Sequence, residues 1–184
     1  MTSDAPPSVH HAPPGTGDVA DIRRFATRVV VPGVATGGRY SVLQHALDPG
    51  FVAMPLHRHR VETKTLYVLG GRLSVRAGDH TIEAPAGASV TVPAGTWHAF
   101  WNARPEAPDE RDGFGPGERA TFLAVAAPGG LEAYYAAVAA LLPGGPDTRS
   151  IDIGAVLAVS EVHGVEVQMD SLLDFVREHK VRLA

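Results

Sequence analysis

From Arg28 to Ala127 the apolar residues come in short runs rich in Val, Thr, Tyr and Leu. Turn signals cut them at Pro32-Gly33, Gly37-Gly38, Asp48-Pro49-Gly50, Gly70-Gly71, Gly78-Asp79, Pro85-Ala86-Gly87 and Pro93-Ala94-Gly95. Strands at this spacing read as an antiparallel sandwich or barrel, and no helical periodicity competes with that reading before Ala127. After a last strand over Thr121 to Ala126 the pattern changes. Gly130 to Leu142 is rich in Ala, Leu and Tyr and predicts a helix, a Pro-Gly break follows at Pro143 to Pro146, and a second helix is expected over Ile153 to Val162. A third is predicted over Ser171 to Lys180, with Asp170 as its N-cap and Leu172, Phe175, Val176 and His179 at i, i+3, i+4 and i+7. The expected organisation is a flexible tail over residues 1–20, an all-β barrel over residues 21–130 and a helical C-terminal extension over residues 131–184, its helices packed outside. The segment Ala103 to Glu118 is polar and rich in Pro, Gly and charge, and a loop of this length is expected to be mobile and to form part of the barrel mouth.

Three histidines stand in the β-rich part. His57 and His59 flank Arg58 on one strand, and because successive strand side chains point to opposite faces, the two imidazoles project to the same side. His98, from another strand, completes a facial set of three nitrogens that leaves coordination positions open for substrate, water or dioxygen. On the inward parity Leu66, Val68 and Phe100 are candidate pocket walls. Gln44, on an early strand with Tyr40 and His45, is a further candidate. Trp97 and Trp101 flank the parity of His98, Phe100 and Asn102 and are expected to pack outside.

The framework around these histidines carries a resemblance. Gly87-Ala-Ser-Val-Thr-Val-Pro93-Ala-Gly95-Thr-Trp-His98-Ala-Phe-Trp-Asn102 fits the pattern G-x5-P-x-G-x2-H-x3-N at every fixed position, and Gly50 to Gly71 fits most of G-x5,6-H-x-H-x3,4-E-x6-G. In these two motifs the chain resembles the cupin superfamily. Pro55-Leu-His-Arg-His-Arg60, Leu66-Tyr-Val-Leu-Gly-Gly71, Val92-Pro-Ala-Gly-Thr-Trp-His-Ala-Phe100 and Ala126-Ala-Pro-Gly-Gly-Leu-Glu132 are most similar to the small single-domain bacterial cupins of the quercetin-dioxygenase-like group. The resemblance implies a jelly-roll β-barrel and a divalent transition metal, iron, manganese, nickel or zinc, held by His57, His59 and His98. It implies an oxygen-containing small molecule as substrate, with dioxygenase chemistry the best-known activity, and Asn102 as a turn or packing residue. It also implies a homodimer, to which the apolar stripe of the Ser171 to Lys180 helix adds an argument.

One position departs from the motif. Counting back from Gly71, Lys64 stands where most cupins carry a metal-binding glutamate. Two unit charges about 4 Å apart at an effective dielectric of about 20 interact by roughly 4 kcal/mol, so a protonated lysine pointing inward weakens a metal site. A neutral, desolvated lysine is instead a base, nucleophile or ligand. The competing reading has its stem lining the barrel mouth while the ammonium reaches water or pairs with Glu62. Glu62 itself replaces the lost carboxylate only through a shift of register. Three functions follow: a dioxygenase-like enzyme with a three-histidine metal centre and Lys64 as base or anion anchor; a metal-poor or zinc-bound cyclase, isomerase, lyase or hydrolase with Lys64 and a histidine such as His98 as the acid/base pair; and a small-ligand-binding domain without chemistry. Thiol dioxygenases are cupins whose iron is held by three histidines and no carboxylate, so the lysine leaves oxygenase chemistry open.

Composition narrows the partners. The chain has 184 residues, 45% of them apolar, enough for one domain with a substantial core. It has no cysteine, so disulfides and thiolate ligands are excluded, leaving histidine and carboxylate for a metal. A formal charge of -4 without a long basic run argues against nucleic acid. No stretch has the length of a membrane span, and Met1 to Val19 lacks the apolar core of a signal peptide, which makes a cytoplasmic location the expectation. His10-His11 in the tail are candidates for adventitious metal binding only.

Overall fold

A computed structural model describes residues 9–22, 24–103, 118–142 and 152–183. Among them the strands run β1 (Val19–Ile22), β2 (Phe25–Val31), β3 (Ser41–Leu47), β4 (Phe51–Val52), β5 (His57–His59), β6 (Thr63–Gly70), β7 (Arg72–Ala77), β8 (His80–Pro85), β9 (Ser89–Val92), β10 (His98–Asn102) and β11 (Ala120–Ala127). Helices α1 (Leu131–Ala140) and α2 (Ile153–Val162) follow, then β12 (Val165–Val167), α3 (Leu172–Glu178) and β13 (Arg182–Leu183).

The strands form two facing sheets. One has the order β1-β2-β3-β11-β6-β9, and the other runs β12-β5-β10-β4-β13, with β7 also paired to β10 and β8 to β7. This is a jelly-roll sandwich rather than the closed barrel expected from the sequence. Closure requires strands long enough to tilt and stagger around an axis, whereas β4 and β13 have two residues each and β5 has three. Among the described residues no strand belongs to both sheets.

Alternation along the strands places the core between the sheets. On β3, Ser41, Leu43, His45 and Leu47 are buried while the residues between them are half-exposed. On β6 the buried set is Lys64, Leu66 and Val68. β10 is buried on both faces, because Phe100 joins the core between the sheets while Ala99 and Trp101 pack with Phe175 and Val181 beneath α3. The apolar stripe of α3 is therefore satisfied within the chain: Phe175 is buried against Trp101, and His179 lies 4.3 Å from the Trp101 ring.

The C-terminal segment is more than helical. β12 pairs antiparallel with β5, aligning Val165 with His59 and Val167 with His57, and β13 pairs parallel with β4. Leu131, Tyr134, Tyr135 and Val138 recur at i, i+3, i+4 and i+7 and are the buried face of α1. Asp152 caps α2, its carboxylate accepting from Ala155 N–H at 3.0 Å. Asp170, expected as the cap of α3, instead lies inside a 3₁₀ turn, Met169–Ser171, that leads into the helix. The segment read as a tail joins the sheet at its inner end: Val29 N–H donates to Asp18 O at 2.9 Å, and β1 pairs with β2 from Val19 onward.

The break at Pro143 to Pro146 and the loop expected at the mouth, apart from its ends Ala103 and Glu118, lie outside the described residues. No helix among the described residues is long and apolar enough to cross a membrane.

Candidate metal centre

The two motifs meet through backbone bonds. Gly95 sits at φ +77°, a conformation open to glycine, and its N–H donates to His59 O at 2.7 Å. His98 is directly opposite His57 in the antiparallel β10–β5 pair. Gly71, which closes the first motif, has φ +69°, and a Cβ there would stand 2.5 Å from Arg119 O, so the tight passage from β6 to β7 beside β11 requires glycine. Asn102, as the resemblance implies, has a packing role. Its Nδ2 donates to Leu47 O at 3.1 Å and Glu118 O at 2.8 Å, tying β10 to the start of β11.

His57, His59 and His98 converge between the sheets. Their ligand atoms lie within 4.8 Å of one another, and all three side chains are buried. The ring of His57 is 4.2 Å from that of His98 and 5.4 Å from that of His59. His57 Nδ1–H donates to Pro55 O at 2.9 Å, and His98 Nδ1–H donates to Thr96 O at 2.8 Å. These bonds fix the tautomer and leave Nε2 as the free lone pair, the outer-shell arrangement of metal-binding histidines. His59 Nδ1 faces Glu62 Oε2 at 3.5 Å. Glu62 therefore stands behind His59 rather than among the ligands.

Lys64 is 1% exposed, so the reading in which its ammonium reaches water does not hold. Its Nζ lies 3.1 Å from His59 Nε2, 3.5 Å from His57 Nε2 and 5.7 Å from the centre of the Phe100 ring. Burial brings the amine down to about 7, against a smaller opposing pull from Glu62. Burial first and Lys64 second hold the imidazoles neutral: His59 is pulled down to about 2, and His57 and His98 are lowered well below their ordinary range.

The donor set fits a divalent transition metal. Three neutral nitrogens face one space, and His98 Nε2 is a buried polar atom with no hydrogen-bond partner. Such an atom is costly to leave unsatisfied, and imidazole suits zinc, iron, nickel and copper alike. Lys64 Nζ reaches the same space and makes the set unlike one completed by a carboxylate.

The other candidates divide. Leu66, Val68 and Phe100 are buried on the inner faces. Gln44 does not join them: it alternates with the buried Leu43 and His45 on β3, so its side chain leaves on the outer face and is half-exposed. His45 is the residue of that strand that points inward. Its Nδ1 lies 2.9 Å from Thr27 Oγ1, its ring stacks on Phe25 at 4.9 Å, and its Nε2 is buried without a partner. The alternation that finds His57 and His59 applies equally to His45, but its phase on β3 becomes visible only once β3 is paired. Tyr40 is exposed. Trp97 packs outside under the Arg58 guanidinium, 4.8 Å from its ring.

Sequence reasoning also missed Glu166, which holds the metal-motif strand from outside. Its carboxylate accepts from Arg58 Nη2 at 2.6 Å and Arg60 Nε at 3.1 Å, and Arg60 Nη2 donates to Glu161 at 2.5 Å. These bonds clamp β5 to β12 and α2.

Residues 44–108 match the cupin domain family. Among solved structures the chain is similar to the polyketide cyclase RemF from Streptomyces resistomycificus, at 20% identity and a TM-score of 0.51, over 65% of this chain and 80% of that one. It is also similar to KdgF from Halomonas sp., at 16% identity and a TM-score of 0.49 over 63% and 90% of the two chains. A sugar phosphate isomerase of the cupin superfamily from Silicibacter pomeroyi matches at 24% identity and a TM-score of 0.43 over 56% and 59%. No curated protein sequence matches the chain.

Proposed function

We propose that this protein is an enzyme that transforms a small molecule at a mononuclear metal centre held by His57, His59 and His98. One observation carries the reading: three buried neutral imidazoles present Nε2 to a common space, while Pro55 O and Thr96 O take up two of the Nδ1 protons and Glu62 stands behind the third ring. A bound metal would polarise a substrate oxygen as a Lewis acid or, as iron, support dioxygen chemistry.

Lys64 is placed to act beside the metal ligands. Its amine takes a proton from substrate or anchors a developing anion, and the apolar walls Leu66, Val68 and Phe100 keep water from competing for it. In the dioxygenase-like form of this proposal the lysine holds the substrate in its anionic state. In the second form, a cyclase, isomerase, lyase or hydrolase, Lys64 and one of the histidines are the acid/base pair. The contact of Lys64 Nζ with His59 Nε2 at 3.1 Å supports this second form, since proton transfer needs donor and acceptor within about 3.2 Å of each other.

The test begins with metal analysis of tag-free protein and continues with oxygen uptake by the iron-loaded and zinc-loaded chain over a panel of phenols and enols. Turnover that consumes oxygen in step with substrate supports the dioxygenase-like form. Turnover without oxygen supports the acid/base form, and the absence of any bound metal and any turnover overturns both.

A further inference from the structure

We infer that the site acts on an apolar, uncharged small molecule, held in a cavity that the C-terminal extension builds against the sandwich beside His59. The inference rests on the histidine cluster being the reacting centre. The cavity measures about 350 Å³, at the lower end of the range usual for small-molecule sites. None of its lining residues is charged. The polar atoms that the lining side chains offer are the hydroxyls of Tyr134 and Tyr135 and the thioethers of Met54 and Met169. An anionic or polyhydroxyl ligand would lose its hydration there and find no partners to replace it.

The cavity abuts the histidine cluster without being lined by it. The Tyr134 ring stands edge-on to His59, at 6.5 Å between centres and 88° between planes. Pro55, also in the lining, accepts the His57 Nδ1 proton. Tyr134 is the polar handle between the two spaces. Its Oη lies 3.2 Å from both Met54 Sδ and Ser160 Oγ, and Ser160 donates its own proton to Val156 O at 2.8 Å. With its own proton on Val156 O, Ser160 Oγ can accept from Tyr134, and the Met54 thioether is a weak acceptor, so a substrate carbonyl or hydroxyl oxygen entering the cavity competes with both for the phenolic proton. Burial pushes the Tyr134 hydroxyl up to about 12, which keeps it a donor.

Eleven of the sixteen lining residues come from positions 134–183, beyond the stretch that matches the cupin family. The ligand nitrogens belong to the shared domain, whereas the choice of substrate belongs to this chain's own extension.

The probes are 2-naphthol, a neutral bicyclic phenol, and glucose 6-phosphate, titrated calorimetrically into the full zinc-loaded chain. The expected result is saturable binding of one 2-naphthol per chain and no binding of glucose 6-phosphate at the same concentrations. Leu157→Trp should fill the cavity and weaken 2-naphthol binding at least tenfold with zinc stoichiometry unchanged. Val156→Phe serves if the first variant does not fold. Tyr134→Phe should weaken 2-naphthol severalfold and leave naphthalene unaffected. Preference for glucose 6-phosphate, or undiminished 2-naphthol binding in the filled variants, overturns the inference while leaving the metal centre intact. Loss of zinc binding in the native chain with 2-naphthol binding retained overturns the metal reading, and with it the claim that the site acts on what it holds.

Discussion

Lys64 Nζ lies 3.1 Å from His59 Nε2 and 3.5 Å from His57 Nε2, sharing the space that the proposed metal would enter. A fully buried amine and a dication compete for the same nitrogens. Lys64→Glu replaces a positive charge with a carboxylate at that spot, and zinc affinity should rise at least tenfold, since a single charge pair at this range is worth roughly 4 kcal/mol at an effective dielectric of about 20. Lys64→Met should raise it less, because it only removes the competitor. Both variants should lose turnover if the amine serves the reaction. Calorimetric zinc titration and turnover assays on the two variants check this.

Glu62 stands behind His59 rather than among the ligands. Loss of such an outer partner typically costs about 10–100-fold in metal affinity. Glu62→Gln should therefore weaken zinc binding about tenfold while the melting temperature changes little. An unchanged zinc affinity would show that the ring is held by its packing alone.

His45 makes stability fall in acid. Burial, assisted by Lys64, lowers it to about 3 from an ordinary value of 6.5. Between those values the unfolded chain binds a proton that the folded chain does not, so this group's contribution is full above pH 6.5 and is lost as pH falls toward 3. The slope is about 1.4 kcal/mol per pH unit within the window. His45→Phe should remove that share, so urea unfolding at pH 7 and pH 5 should show a smaller loss in the variant than in the native chain.

Asn102 is a stability residue. Its amide serves two backbone carbonyls, Leu47 O and Glu118 O. Asn102→Ala leaves both unsatisfied and should cost about 1–3 kcal/mol with zinc stoichiometry unchanged, measurable by chemical denaturation.

The sequence made the shared part of the site legible for a physical reason. Two-residue periodicity places His57 and His59 on one side, and the glycine and proline framework of Gly87 to Asn102 fixes where His98 enters. The same parity brought Lys64 inward with Leu66 and Val68. It failed at Gln44, because a shift of one residue reverses the face of every side chain and β3 has no motif to set its phase. The C-terminal extension was legible only as helices. β12 and β13, with three and two residues, show no period of their own and exist through pairing with β5 and β4. The cavity could not be read at all, since its walls come from segments as distant as Phe25, Tyr134 and Leu183.

In the proposed centre His57, His59 and His98 hold one metal ion per chain. Cobalt(II) titration of tag-free protein, followed by its visible absorption, tests this most directly when the native chain is run beside His98→Ala and a His10→Ala, His11→Ala double variant. The expected result is one site per native chain, retained in the double variant and lost or weakened by at least a hundredfold in His98→Ala. Equal binding by native and His98→Ala protein, or loss of the site in the double variant, would contradict it.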